Sequence, residues 1–482
     1  MLALVLFVPL IGAALIALLH RRPAHRDLAS VVTAVSLFGS VVGLVPRAGA
    51  WPSPNWVPLE IVPELQIAFG LEPLGLLFAL VASGLWVVTS IYSIGYMRAH
   101  HEAHQTRFYI CFALTLAAAM GIALAGNLLT LFIFYEAMTL ATYPLVTHHG
   151  TDKAVRAGRL YLGYLFGTSV GLLLLAVIWT WTLAGTLDFR QGGILAGKAD
   201  DATLVVLLAL YAFGIGKAAL MPFHRWLPAA MVAPTPVSAL LHAVAVVKAG
   251  VFSVMKVALY VFGADLLRET GLSVWLMYAA GATIVIASLI ALLQDDLKAR
   301  LAYSTVSQLS YVVLGAALAN GPGLVGGSMH ILMHAVGKIT LFFCAGAIAV
   351  ATHKTKVSEM SGIGRRMPIT MFAFLLASLS IIGLPPFGGA WSKWYLILGA
   401  IEAGQAPLVA VLLISSLLNM AYLLPVAVRA FFIEASEGAR DPGIKEAPLV
   451  CVLPLCVTSA GTFLLFFFAG DVYAFLSQLA QP

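Results

Sequence analysis

Eight side chains in this sequence could do chemistry because each places a titratable group inside an apolar run. They are Glu136, Lys217, His242, Lys248, His330, His334, Lys338 and Lys393. A charged group at the centre of a bilayer costs about 3 kcal/mol even on lenient scales, so such residues are functional candidates by default. Lysine can give up its proton when buried, whereas arginine effectively cannot. Five lysines and no arginine fall inside the apolar runs (Lys217, Lys248, Lys256, Lys338 and Lys393), a choice that suits proton exchange better than fixed charge.

The spacing of these residues narrows the chemistry. In GSMHILMHAVGKITLFF, His330, His334 and Lys338 stand at i, i+4 and i+8. On a helix this predicts one stripe rising about 12 Å, a ladder for a proton wire. Two histidines at i, i+4 can also hold a metal. No carboxylate or cysteine lies near them, so no metal is expected. Glu136, in NLLTLFIFYEAMTLATYPLV, is the one acid well inside a run, and Lys217 is its expected partner. A fixed pair that only pins two helices is the plainer reading, but buried ion pairs are weak sources of stability. Lys256 lies eight residues past Lys248 and is expected to be peripheral, snorkelling to the interface. Lys393 directly follows a proline–glycine interruption, where it could meet an aqueous exit.

These residues need helices that cross a membrane. Of the 482 residues 61% are hydrophobic and only 10% charged, and the mean hydropathy is +0.97. No soluble core absorbs that much apolar sequence. We read fourteen spans, near 1–19, 28–45, 73–95, 108–125, 127–147, 158–183, 203–222, 237–262, 273–293, 301–318, 326–351, 369–400, 407–430 and 448–468. The first, MLALVLFVPLIGAALIALLHRR, lacks a basic region ahead of its apolar run and reads as a retained span rather than a cleaved signal. Loops after odd-numbered spans hold eighteen Lys and Arg, and loops after even-numbered spans hold four. That asymmetry puts the basic loops in the cytoplasm and both termini outside a bacterial inner (plasma) membrane. The pI near 9.1 is therefore topology and not a nucleic-acid partner. The four cysteines form no C-x-x-C pair, and no disulfide or metal role is expected of them.

Two spans are interrupted by proline. One stretch has Pro222, Pro228, Pro234 and Pro236, and the other has Pro385, Pro386, Gly388 and Gly389. Broken helices at membrane depth need protein or water to meet the freed backbone groups. Paired breaks in two halves mark transporters built from inverted repeats. The breaks fall in spans 7 and 12, which predicts two inverted five-helix units, spans 4–8 (108–262) and spans 9–13 (273–430). Residues 1–107 would form spans 1–3, and 431–482 would hold span 14.

The strings FYEAMTLATYPLV, GKAALMPFHRWLPAAMVAPTPVSALLHAVAVVKAG, DLKARLAYSTVSQLSY and HILMHAVGKITLFFCAG resemble the antiporter-like subunits of respiratory complex I, membrane-bound hydrogenases and Mrp-type cation/proton antiporters. SLLNMAYLLPVAVRAFF and HKTKVSEMSGIGRRMP look most like Mrp D-type subunits. The resemblance implies an all-α polytopic membrane protein with fourteen helices, and assigns Glu136, Lys217, Lys248, His330, His334, Lys338 and Lys393 to the family's proton-transfer positions. The expected function is a proton-conducting subunit coupled to monovalent cation exchange, sodium or potassium. Its partners would be other membrane subunits and the lipid bilayer. The chain carries no cofactor motif, and its expected status is transporter subunit rather than enzyme on its own. A complex I-like, hydrogenase-like or inorganic-carbon-uptake complex is the alternative setting, and a lone solute carrier or a non-transporting scaffold are the rival readings. The expected path runs from the span-7 break to Lys217 or Lys248, along His330, His334 and Lys338, and out at Lys393.

Overall fold

The computed structural model describes residues 1–47, 56–62, 65–434 and 443–480; Arg440, one of the loop cations counted above, lies outside them. Each candidate span coincides with a helix. They are α1 (Leu2–Leu18), α2 (Pro23–Val42), α3 (Pro73–Ala99), α4 (Gln105–Ala123), α5 (Leu128–Val146), α6 (Asp152–Ala184), α7 (Asp201–Gly214), α8 (Thr235–Phe262), α9 (Val274–Leu293), α10 (Leu297–Leu318), α11 (Gly321–Thr352), α12 (Pro368–Ile382), α13 (Gly389–Glu402), α14 (Ala406–Phe432) and α15 (Leu449–Phe467). Ten of these are long and apolar enough to cross a bilayer, and α1, α7 and α12 are shorter apolar helices. Local chemistry fixes many starts. Asn127, Thr151, Asp200, Asp296 and Asn320 each cap a helix by accepting a backbone N–H three residues on.

The loops sort into two faces, as the charge alternation requires. On the basic face Arg98 meets Asp27, Lys298 reaches the Ala233 carbonyl, and the Leu297 N–H meets Thr355. On the other face the backbone of residues 69–70 meets 124–126, and that of 189–194 meets 126 and 260–261. The all-helical expectation needs one amendment there. The loop after span 2 folds a small antiparallel hairpin, β1 (Trp56–Val62) with β2 (Leu65–Phe69). Val, Ile, Leu and Phe alternate through both strands, a pattern that favours extended pairing.

Burial is inverted relative to a soluble protein. The interior helices α8 and α10 are almost wholly enclosed, and α8 with α11 carries most of the interior lysines and histidines. Leucine, valine and phenylalanine side chains lie exposed on α1, α2, α6, α14 and α15, the surface a lipid phase covers. Both breaks occur where expected. α7 stops at Gly214, entering from the face opposite the basic loops, and Gly216–Ala218 makes a single tight turn. α12 stops at Ile382, entering from the basic face, and α13 resumes at Gly389. Three widened turns were not foreseen, at Ser169–Leu173 in α6 and at Leu240–Val244 and Ala258–Phe262 in α8; the second surrounds His242 before regular turns resume at Val246.

Candidate functional site

Lys217 sits in the tight turn after α7 and is fully buried. Its ammonium donates to the Tyr135 carbonyl at 2.8 Å and to Thr139 Oγ1 at 2.6 Å, and lies 3.2 Å from the centre of the Tyr135 ring. Its backbone N–H donates to the Tyr135 hydroxyl at 2.9 Å. The expected ion pair with Glu136 is not made, and both Glu136 carboxyl oxygens are buried without a hydrogen-bond partner. Helical geometry gives the reason. Tyr135 and Thr139 share one face of α5 at i, i+4, and Glu136 is turned about 100° from it.

α8 links this site to the centre of the molecule. At Gly250 it lies so close to the break that a Cβ would meet the Lys217 carbonyl carbon at 2.3 Å. Lys248, two residues earlier and fully buried, shares a short hydrogen bond with His334 Nδ1 on α11. The His334 and His330 rings stack at 5.8 Å, and Tyr311 stacks on His330 at 5.2 Å. His330 Nδ1 then meets Ser392 Oγ at 2.9 Å, and Ser392 precedes Lys393. Hydrogen bonds therefore join Lys248 to His334 and His330 to Ser392, the residue beside Lys393, and ring stacking joins the two histidines.

Lys393 does not snorkel. It is 5% exposed and donates to the Ile382 carbonyl at 2.8 Å and to Ser416 Oγ at 3.1 Å. In an unbroken helix the Ile382 carbonyl would accept from residue 386, but Pro386 has no N–H, so the break leaves an acceptor that the lysine takes. Lys393 also lines a cleft of about 590 Å³ between α12, α13 and α14.

Lys338 departs from the expected stripe. Each four-residue step over-rotates by about 40°, so at i+8 the side chain has turned about 80° away from His330. It bonds to Ser304 Oγ on α10 at 2.7 Å, where the Tyr422 hydroxyl also donates at 2.8 Å. His242 is fully buried, 4.8 Å from the Phe342 ring centre, with neither ring nitrogen hydrogen-bonded.

Lys256 is neither peripheral nor snorkelling. It is 1% exposed and forms an ion pair with Glu72 Oε1 at 2.8 Å, the only one that any lysine makes among the described residues. It also donates to the Ala125 carbonyl at 2.6 Å and lies 4.5 Å from the Phe189 ring centre. Glu136 is thus not the sole interior acid. The sequence concealed Glu72 because it immediately precedes Pro73 at the start of α3, where it reads as a loop residue. An acid directly before a helix-starting proline, at the positive end of the helix dipole, was the available signal. Among the described residues no group of three or more metal-ligating side chains assembles.

Comparison with known proteins places this arrangement. Residues 125–419 match the family model described as NADH:quinone oxidoreductase/Mrp antiporter, TM. Residues 56–109 match the one described as NADH-Ubiquinone oxidoreductase (complex I), chain 5 N-terminus. NADH-quinone oxidoreductase subunit N of Desulforudis audaxviator is 36% identical over 90% of this chain and 86% of its own length. Subunit L of the Mycobacterium tuberculosis enzyme is 32% identical over 98% and 75% respectively. Hydrogenase-4 component B of Escherichia coli is 32% identical over 75% of this chain and 55% of its own length. In solved structures, a chain of the Mrp complex from Dietzia sp. DQ12-45-1b superposes with a TM-score of 0.86 over 99% of this chain and 96% of its own, at 24% identity. A chain of an archaeal membrane-bound sulfane sulfur reductase matches equally well, with a TM-score of 0.86 at 24% identity over 99% and 97%. With more than half of its length matched by the family model and a 36% identical relative along nine-tenths of it, the chain belongs to the family of antiporter-like, multi-pass membrane subunits shared by complex I-type, Mrp-type and hydrogenase-type complexes.

Proposed function

We propose that this chain conducts protons through its own interior, by the route Lys248, His334, His330 and Lys393, as one module of a multisubunit complex. The observation that carries the reading is the succession of Lys248, His334, His330 and Ser392 across three helices, hydrogen-bonded at both ends and ring-stacked in the middle. Imidazole can take a proton on one nitrogen and release one from the other, so two stacked histidines between two lysines suit stepwise transfer. Lys338, held by Ser304, acts as a side branch whose charge biases the histidines. Lys217 controls the supply. In this structure its ammonium is parked on Tyr135 and Thr139; swung toward Glu136 it would keep its proton, and released from both it would pass one on.

The two halves follow the inverted five-helix division 108–262 and 273–430, with 1–107 and 431–482 outside it. Opposite approaches of α7 and α12 to their breaks support this division. The basic face is cytoplasmic by the positive-inside rule, which puts both termini on the outer side of an inner membrane. The drive comes from partner subunits, so the chain is a transporter subunit rather than an enzyme in itself. Cation exchange, with sodium or potassium, is the proposed coupling, and the word antiporter in the description of the matching family model is what supports exchange. The test is proton flux, read by a pH-sensitive dye, in vesicles holding the assembled complex. Lys393→Met and His334→Phe should each abolish flux while the complex assembles. Wild-type flux in both variants refutes the route.

A further inference from the structure

The conducting route above begins at Lys248, deep in the interior, and leaves open how a proton reaches it from the basic face. Three histidines and a carboxylate gather on that face, on the loops that follow α3 and α5. His149 Nε2 meets Glu102 Oε1 at 3.2 Å, and His148 Nε2 lies 3.7 Å from Glu102 Oε2. His100 stands between this cluster and the interior, its ring 4.5 Å from that of Tyr96. The Tyr96 hydroxyl is buried and accepts from Thr235 Oγ1 at 3.4 Å. Thr235 opens α8.

From Thr235 the polar groups continue up one side of α8. Ser238 and His242 follow at i+3 and i+7, on successive turns that climb about 10 Å. Both are fully buried. The Ser238 hydroxyl and both His242 nitrogens have no protein hydrogen-bond partner, and neither has His100 Nε2. Buried polar groups are nearly always satisfied, and a row of them without protein partners is where ordered water is held. Exposure falls steadily along the series, from solvent-exposed His149 through half-buried Glu102 and His100 to enclosed Tyr96, Thr235, Ser238 and His242. Beyond His242 the same helix carries Lys248.

We propose that Glu102, His149 and His100 form the proton intake of the basic face, and that Tyr96, Thr235 and Ser238 relay the proton to His242 and so to Lys248. The inference rests on the proposed conducting route and supplies its first half. At each hydroxyl a proton is accepted on a lone pair and the hydroxyl's own proton is released. One proton has then moved, and each hydroxyl turns back to its starting orientation, Thr235 donating to Tyr96, before the next passes, with no redox partner required. The electrostatics of the surrounding groups agree. The hydrogen bond with Glu102 raises His149 above the ordinary histidine value, so it collects protons near neutrality. Burial holds His100 below that value, so it passes them on. Burial pushes His148 down to about 4, which leaves it neutral beside the pair. Arg107 anchors that loop through the His148 carbonyl at 3.0 Å, while His353 and Lys298 are the other basic groups facing the cluster.

The experiment compares proton flux in vesicles holding the assembled complex for wild type, Glu102→Gln with His149→Gln, Tyr96→Phe, and Lys248→Met. Charged surface clusters raise local capture rates by about 10–10³-fold, so the double variant should lose roughly tenfold in turnover, most at alkaline pH where protons are scarce. Tyr96→Phe removes one hydroxyl from the relay, keeps the ring packing and should slow flux comparably. Imidazole added on the basic face should restore flux in the double variant, because a mobile buffer can deliver protons to His100; a merely structural lesion would not respond. Wild-type flux in both intake variants, or a loss that imidazole leaves untouched, overturns the intake. If Lys248→Met still conducts, the underlying route fails instead, which separates the two claims.

Discussion

Removing Glu72 should destabilise the protein by about 3 kcal/mol, and removing Lys256 at the same time should restore most of that loss. Glu72 and Lys256 are each 1% exposed and 2.8 Å apart. Breaking a buried pair by deleting one partner typically costs 3–5 kcal/mol, because the other charge is left uncompensated. Here the stranded ammonium keeps the Ala125 carbonyl at 2.6 Å and the face of Phe189 at 4.5 Å. A cation over a desolvated ring is worth about 1–2 kcal/mol, which moves the expectation to the low end. Replacing both partners with uncharged groups of similar volume is close to neutral in other buried pairs. Glu72→Gln, Lys256→Met and the double variant therefore form a cycle with an expected coupling of about 2–3 kcal/mol. Unfolding free energies in mixed detergent, followed by tryptophan fluorescence, measure it. Coupling below about 0.5 kcal/mol, with both single variants near wild type, would refute the pair as an anchor of α3 to α8.

Other consequences are local. Gly250→Ala should cost about 1–3 kcal/mol, since its Cβ would meet the Lys217 backbone at 2.3 Å; thermal unfolding and flux should both fall, and a wild-type variant would show that α8 can shift there. Ser304→Ala strips a partner from both Lys338 and Tyr422 and should cost about 1–3 kcal/mol in the same unfolding assay. The Glu102–His149 pair should contribute under about 1 kcal/mol because it is half-exposed. Its hydrogen bond with His149 holds Glu102 below the ordinary carboxylate value and raises His149 above the ordinary histidine value. The Glu102 contribution is present above about pH 4.5 and fades on acidification, and that of His149 is complete below about pH 6.5 and fades as pH rises. The stability gap between wild type and Glu102→Gln should thus be widest near pH 5.5 and shrink by pH 8.

Much of this was legible because hydropathy and charge act at long range along the chain. The span boundaries follow from runs of apolar residues, the two faces from the sorting of arginines, and the breaks from Pro222 and from Pro385 and Pro386. The interior lysines were visible as exceptions to that rule. What escaped were matters of rotation and of partners distant in sequence. Adjacent positions on α5 decide that Lys217 reaches Tyr135 and Thr139 rather than Glu136. An 80° drift along α11 decides that Lys338 meets Ser304. Glu72 lies 184 positions from Lys256, and no periodicity links residues that far apart. The widened turn around His242 likewise has no proline or glycine of its own to announce it.

The central claim is that Lys248 gives up and regains a proton, rather than holding a fixed charge. Lys248→Arg separates these directly, because arginine keeps the charge and much of the reach but does not release its proton. The account predicts that the assembled complex with Lys248→Arg conducts no better than Lys248→Met in the vesicle assay. Wild-type flux through the arginine variant would contradict it.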